Sequence, residues 1–454
     1  MIKTFVERFQ TALRGLGVGP AGRDLEAWVI LVLEAMAARE RSFHTPRHVL
    51  DMARGEEPVE ILGALFHDVV YLQVDGGMTP AIDALVDRHV SFDGKRFVLR
   101  PPEEGAGGRL SRLVAGVFGV GKEGAPLLSA GLNELLSALA AAEILGPVIG
   151  EGNVALVAAC IEGTIPFRAP EGEKTCFDLL EERIRGVNAD MGLGLSGDRI
   201  VGAVRAAVRL GNRDVENFAA DDVGNFLDNT WDLLPELNPA LRNRELYTIR
   251  DYRGALQSIE SFLGSLDPRG VFHVYRGEGE SAYEEKTARA EKNIGIAARY
   301  LRVKLVSVAV LDALAGMTGG DAPMALFMGS VPGKDGEVAR LEDHLSRCLP
   351  GAEAGDLDPV ILRLLGEGRC QPSGSPGFDL KTSPLSAFLY TGMGEKRVME
   401  AAGRARSMAG GTQSPRQFLD GLQPKLVAAV AEAASHEAVT RRDALLRIAD
   451  SYRS

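Results

Sequence analysis

The chain has little with which to build covalent cross-links. Its 454 residues include four cysteines, Cys160, Cys176, Cys348 and Cys370, scattered and without a Cys-x-x-Cys pair. This spacing excludes a disulfide framework and a zinc knuckle, and predicts reduced thiols in a cytoplasmic protein. Tryptophan is limited to two residues and alternating β-branched runs are few, which argues against a mainly β fold. The apolar stretches at residues 28–33 and 305–311 are cut by charges well short of a membrane span. Residues 1–15 carry an amphipathic helical pattern and not the apolar core of a signal peptide. Positive charge is in deficit, 51 Lys and Arg against 62 Asp and Glu, for a net charge of −11. A polyanion binder needs clustered cations, so general nucleic-acid binding is excluded. No internal repeat is evident.

Histidine is also scarce, yet three of the seven in the chain fall between residues 44 and 67. One of these, His67, stands beside Asp68 in the run Ala64-Leu65-Phe66-His67-Asp68-Val69-Val70-Tyr71. A carboxylate flanked by Phe66, Val69 and Val70 faces a core, where burying it alone costs several kcal/mol. No Lys or Arg lies between Pro58 and Asp87 to pair with it. The adjacent imidazole points instead to a metal ion, because imidazole and carboxylate are common nitrogen and oxygen ligands. Upstream, Thr45-Pro46 reads as a helix start, with Thr45 as N-cap and Pro46 at the first helical position. His48 then falls in the first turn and His44 just outside it. Glu57-Pro58 starts a second helix, expected to run through His67 and Asp68 to Tyr71.

The pattern His44-Thr45-Pro46-Arg47-His48 followed by Leu65-Phe66-His67-Asp68 resembles the opening of the HD superfamily of metal-dependent phosphohydrolases. The resemblance implies an all-α, HD-type helical bundle in which a histidine, a His-Asp pair and a distant aspartate bind a divalent metal. Carried onto this chain, His48, His67 and Asp68 are the first three ligands. His44 matches the extra histidine that some cyclic-nucleotide members use as a general acid. Di-iron oxygenases on the same fold need two further histidines before the last aspartate. Only His89 lies between Asp68 and Asp214, so one tightly held ion is expected, with a weaker second ion on carboxylates such as Asp83 or Asp87.

Helical periodicity supplies a candidate for the fourth ligand. Across residues 198–218, Ile200, Val204, Ala207, Gly211, Asp214 and Phe218 recur at steps of four and three and form one largely apolar stripe. Arg205, Arg209, Asn212 and Glu216 take the opposite face. Asp214 is therefore the expected ligand, with Asp190, Asp222 and Asp228 as alternatives and pairing to Arg213 as the bland reading. Arg41 and Arg47 flank His44 and suit phosphate oxygens through paired donors; as solvated helix-end arginines they would carry no function.

The expected function is hydrolysis of a small phosphate ester such as a nucleotide or cyclic nucleotide. The expected cofactor is a divalent ion of manganese, iron, zinc, nickel or cobalt. A catalytically silent regulatory protein that binds metal or nucleotide is the alternative. A rival nucleotide motif, Gly116 to Glu123, has P-loop glycines and Lys122 but places Glu123 where magnesium needs a Ser or Thr hydroxyl. The later Gly329-Ser330-Val331-Pro332-Gly333-Lys334 is one residue too short. Three parts are expected: a catalytic helical domain over 1–232, a helical extension over 233–315, and a C-terminal helical domain over 316–454. No membrane association is expected, and the last part offers a surface for a homo-oligomer.

Overall fold

Apolar residues recurring at helical spacing should give helices nearly everywhere. In the computed structural model about 70% of the chain is helical. The fold is all-α, with twenty α-helices and one short antiparallel hairpin among the described residues. Described are residues 1–19, 22–101, 106–120, 127, 130–331, 339–345, 357–369 and 377–453.

The chain divides into two compact units, the first holding residues 1–217 and 267–288 and the second 218–266 and 289–454. The expected boundaries after residues 232 and 315 both fall inside the second unit.

The first unit opens with α1 (Ile2–Gly15), α2 (Gly22–Met36), α3 (Pro46–Met52) and α4 (Pro58–Phe66). Short α5 (Leu72–Asp75) and α6 (Pro80–Val86) lead to the hairpin of β1 (Val90–Phe92) and β2 (Phe97–Leu99), which pairs Val90 with Leu99. Then follow α7 (Ala106–Phe118), α8 (Leu132–Glu162), α9 (Cys176–Met191) and α10 (Gly197–Asp214).

Helix α4 is the hub of this unit. Every residue from Val59 to Phe66 is buried, and α1, α3, α8 and α10 all pack on it. Glycines set the spacing at these crossings. A Cβ on Gly63 would lie 2.6 Å from Cys160 Cβ in α8, so the two backbones approach as only glycine permits. Likewise Gly211 of α10 sits against the Gly163 carbonyl at the end of α8, and an added methyl would overlap that oxygen. The buried Glu60 of α4 accepts from Arg209 (3.0 Å) and Arg213 (2.7 Å) of α10. These pairs fix α10 across α4 with the charge compensated.

Helix α8 is the one described helix long and apolar enough to cross a membrane by length and composition. Its apolar surface is mostly buried in the unit, beneath α4, α7, α9 and α10. It bends at Gly150, which has non-helical backbone angles, three residues after Pro147.

Three local expectations are corrected. The helix begun at Pro58 stops at Phe66, so His67 and Asp68 lie just past its end and not within it. The expected helix over 198–218 ends at Asp214, and a 3₁₀ turn takes Glu216–Ala219. Arg209 and Asn212 do not merely face solvent: Arg209 pairs with Glu60, and Asn212 brackets the His273 main chain, accepting from its N–H and donating to its carbonyl, both at 2.8 Å. In the P-loop candidate, Gly116 is inside α7 against Val187 and so cannot form a phosphate loop; Lys122 and Glu123 lie outside the described residues, as do Pro332, Gly333 and Lys334.

The second unit contains α11 (Val223–Leu237), α12 (Ile249–Ser265) and most of α13 (Glu280–Thr318). Seven further helices follow: α14 (Met324–Met328), α15 (Pro359–Gly366), α16 (Pro384–Met393), α17 (Glu395–Ala409), α18 (Pro415–Asp420), α19 (Pro424–Glu437) and α20 (Arg442–Ser451). Helix α13 is almost wholly buried from Ile296 to Ala315, and its enclosed Asp312 is paired with Arg250 and Arg253 of α12.

Candidate metal centre

Thr45 and Pro46 start α3 where the sequence places a helix start, and this sets His48 in the first turn. His67 and Asp68 come from the turn after α4. Two side chains at the start of α8 shape that turn: Ser137 Oγ accepts from the Val70 N–H (3.1 Å) and Asn133 Oδ1 from the Leu72 N–H (3.2 Å). Asp214 arrives from the last turn of α10.

The ligand atoms of His48, His67 and Asp68 all lie within 4.8 Å of one another. His67 Nε2 is 3.1 Å and His48 Nε2 3.6 Å from Asp68 Oδ2. Asp214 falls outside that group of three, yet its Oδ1 is 3.2 Å from His48 Nε2 and 4.0 Å from His67 Nε2. Four donors around one ion at about 2.1 Å would stand about 3.4 Å apart in a tetrahedron, within the span of these separations.

The donors also lack other work. His48 Nε2, His67 Nε2 and Asp68 Oδ2 are buried and find no hydrogen-bond partner outside the cluster, facing only one another. Such atoms are costly unless something occupies the space between them. The Ala64 carbonyl accepts from His67 Nδ1 at 2.8 Å, so on losing its other proton the ring would present the Nε2 lone pair to the cluster. The residues therefore fit a divalent ion with mixed nitrogen and oxygen ligands.

Electrostatics point the same way. Burial alone would lower the pKa of His67, but Asp68 and Asp214 outweigh it and raise it to about 9. Burial would raise that of Asp68, and the pull of His67, His44 and His48 brings it well below the usual carboxylate range. Two carboxylates in one enclosed place favour a cation there.

The remaining expected residues divide. His44 is half-buried beside the cluster, its ring edge-on to Tyr71 at 4.7 Å and 5.6 Å from the His48 ring. Arg47 is exposed on the first turn of α3. Arg41, expected on substrate, is enclosed. Its guanidinium is bidentate on Asp75 (2.9 and 2.6 Å) and donates to the Asp68 carbonyl (2.8 Å), so it clamps the turn and has no open face for a ligand. The bland partner for Asp214 is taken elsewhere, since Arg213 pairs with Glu60. Asp190 is exposed on α9. Asp222 caps α11 and pairs with Arg363, and Asp228 pairs with Lys381, all within the second unit. His89 is buried against Ser111 and Glu143, and Asp87 is paired with Arg100.

Sequence reading missed Glu134, in the first turn of α8. It is half-buried, and burial followed by the charges of Asp68 and Asp214 raises its pKa to about 7. An acid in a first helical turn ordinarily reads as compensation of the helix dipole, which hid it. Its neighbours Asn133 and Ser137 hold the turn after Asp68.

No protein-family model, curated protein or solved structure matches this chain.

Proposed function

We propose that the first unit is a metal-dependent phosphohydrolase of the HD type, acting on a small phosphate ester such as a nucleotide or cyclic nucleotide. One observation carries this reading: three buried donor atoms, on His48, His67 and Asp68, with no partner outside their own cluster, lie within 4.8 Å of one another beside Asp214. Those four residues would hold a divalent ion of manganese, iron, zinc, nickel or cobalt. Such an ion acts as a Lewis acid toward a phosphoryl oxygen and makes water a nucleophile near neutral pH.

The protein's own residues supply proton transfer and binding. Glu134, near enough to Asp68 and Asp214 to feel their charges, would take a proton from the attacking water. His44 stands beside the cluster, half-buried, and would donate a proton to the leaving oxygen. Arg47, exposed next to it, would meet the outer phosphate oxygens. Arg41 acts through the turn that it clamps, as a positioning residue for Asp68.

The test is metal analysis of the purified full chain together with a broad panel of nucleotides, cyclic nucleotides and phosphoesters. Hydrolysis that depends on added metal and disappears in His67→Ala supports the reading. Thermal stabilisation by a nucleotide with no product formed from any member would reject it in favour of a silent regulatory protein.

A further inference from the structure

Arg168, in the segment between α8 and α9, lines a cavity of about 170 Å³ in the first unit, together with the start of α9 and residues 269–274. Phe167, just before it, has φ +55°, one of two non-glycine residues in the left-handed region among the described residues. Backbone held in that region concentrates at ligand clamps and active sites.

The Arg168 guanidinium is only partly used. Its Nη1 donates to the buried Glu162 at the end of α8, on the same carboxylate oxygen that accepts from Arg183 Nη2. Its Nε and Nη2 are buried and find no partner. These two groups form one edge of the guanidinium, a fork that grips two oxygens side by side. Elsewhere in this unit the same edge holds a carboxylate. Arg41 Nε and Nη2 take Asp75 at 2.9 and 2.6 Å, and Arg109 Nε and Nη2 take Glu151 at 2.7 Å each. Glu162 answers Arg168 through Nη1 alone, so the fork of Arg168 is left vacant. A buried donor pair without a partner calls for an acceptor.

The surroundings narrow the choice of acceptor. Arg168 and Arg183 share one carboxylate, which leaves one positive charge over in that enclosed set. Arg269 is exposed at the cavity, and the nearby acids serve the main chain: Asp178 accepts from the Thr175 N–H (2.8 Å) and Asp267 from the Arg269 N–H (3.0 Å). The His273 ring on the wall is kept uncharged by burial and by Arg168. One vacant fork and one spare charge match a monocarboxylate, whereas a phosphate dianion would need further donors. Phe272, Val274 and Tyr283 supply apolar contact, and a cavity of about 150 Å³ is known to hold benzene.

We propose that this cavity binds a small organic monocarboxylate. Its two oxygens lie on Nε and Nη2 of Arg168, and an apolar body of about the size of benzene lies along Phe272, Val274 and Tyr283. The site is separate from the metal centre, since none of His48, His67, Asp68 and Asp214 lines it.

Calorimetric titration of the full chain with benzoate, benzyl alcohol, phenyl phosphate and benzylammonium tests the site, each run with and without EDTA. Benzoate should saturate with a Kd at or below about 1 mM. In EDTA, where no metal can hold the phosphate, it should bind at least about tenfold tighter than the alcohol or the phosphate. The cation should not bind, and chelation should leave the benzoate value unchanged. Arg168→Lys keeps the charge without the fork and should weaken benzoate by at least about tenfold. Val274→Phe, at a half-buried position in the wall, should abolish binding while the helical circular dichroism is retained. Absence of saturable benzoate binding, an alcohol or phosphate as tight as benzoate, loss of benzoate binding on chelation, or unchanged affinity in either folded variant would overturn the proposal.

Discussion

His48 Nε2, in the first turn of α3, lies 3.2 Å from Asp214 Oδ1, in the last turn of α10. Nothing in the local sequence brings them together. They meet because both helices pack on α4, with α10 pinned there by the pairs from Arg209 and Arg213 to Glu60.

If this meeting point holds a metal, a divalent ion at about a hundredfold excess over its Kd should stabilise the full chain by about 2.7 kcal/mol. His67→Ala and Asp68→Ala should lose both that stabilisation and the bound metal, read by thermal unfolding and elemental analysis. Undiminished metal content in either variant would sink the assignment.

Asp214→Asn should weaken metal binding by at least about tenfold, the low end of what disturbing a metal centre costs. Asp222→Asn and Asp228→Asn, both in the second unit, should leave it unchanged. Competition against a chromogenic chelator measures all three.

For whichever phosphoester proves to be a substrate, Glu134→Gln should lower kcat by about 10²–10⁴ while the metal content stays the same, as expected on removal of a general base. A variant with full turnover would return Glu134 to a structural role at the start of α8.

Two glycines of α10 should respond in opposite directions to alanine. Gly202 is exposed with nothing within 4 Å of an added Cβ, so Gly202→Ala should stabilise by about 0.5–1 kcal/mol through helix propensity. Gly211 abuts the Gly163 carbonyl, and Gly211→Ala should cost about 1–3 kcal/mol as the crossing is forced apart. Urea unfolding of the pair decides it; equal effects would mean that α10 does not sit against the end of α8.

His273 gives a pH signature away from the metal centre. Burial, and then the nearby Arg168, lower its pKa to about 4, whereas in the unfolded chain it sits near 6.5. The native state keeps the ring neutral, so unfolding takes up a proton between those values. Its contribution is level above about pH 6.5, and stability is lost as the pH falls toward 4, by about 3 kcal/mol at full extent. His273→Gln should remove that part of the slope, seen as a difference between wild type and variant that shrinks on going from neutral pH to about 4.5.

The sequence by itself determined the helical class, the starts of α3 and α4 at their prolines, and the face of α10 that carries Asp214. These are local properties: a proline at N1, an N-cap and a 3.6-residue apolar period act within a few residues of themselves. It also singled out His48, His67 and Asp68 as a cluster, because rare residue types crowded together. What it could not give is where polar atoms find partners across the fold. The helix from Pro58 ends at Phe66 in a turn whose N–H groups are taken up by Ser137 and Asn133, far along the chain. Arg41 reads as a phosphate ligand until Asp75 and the Asp68 carbonyl occupy its guanidinium. Glu134 reads as an ordinary first-turn acid until burial places it within reach of the charges of Asp68 and Asp214. Only the tertiary structure decided these, because the energy of a buried polar group depends on which partners surround it and not on its neighbours in sequence.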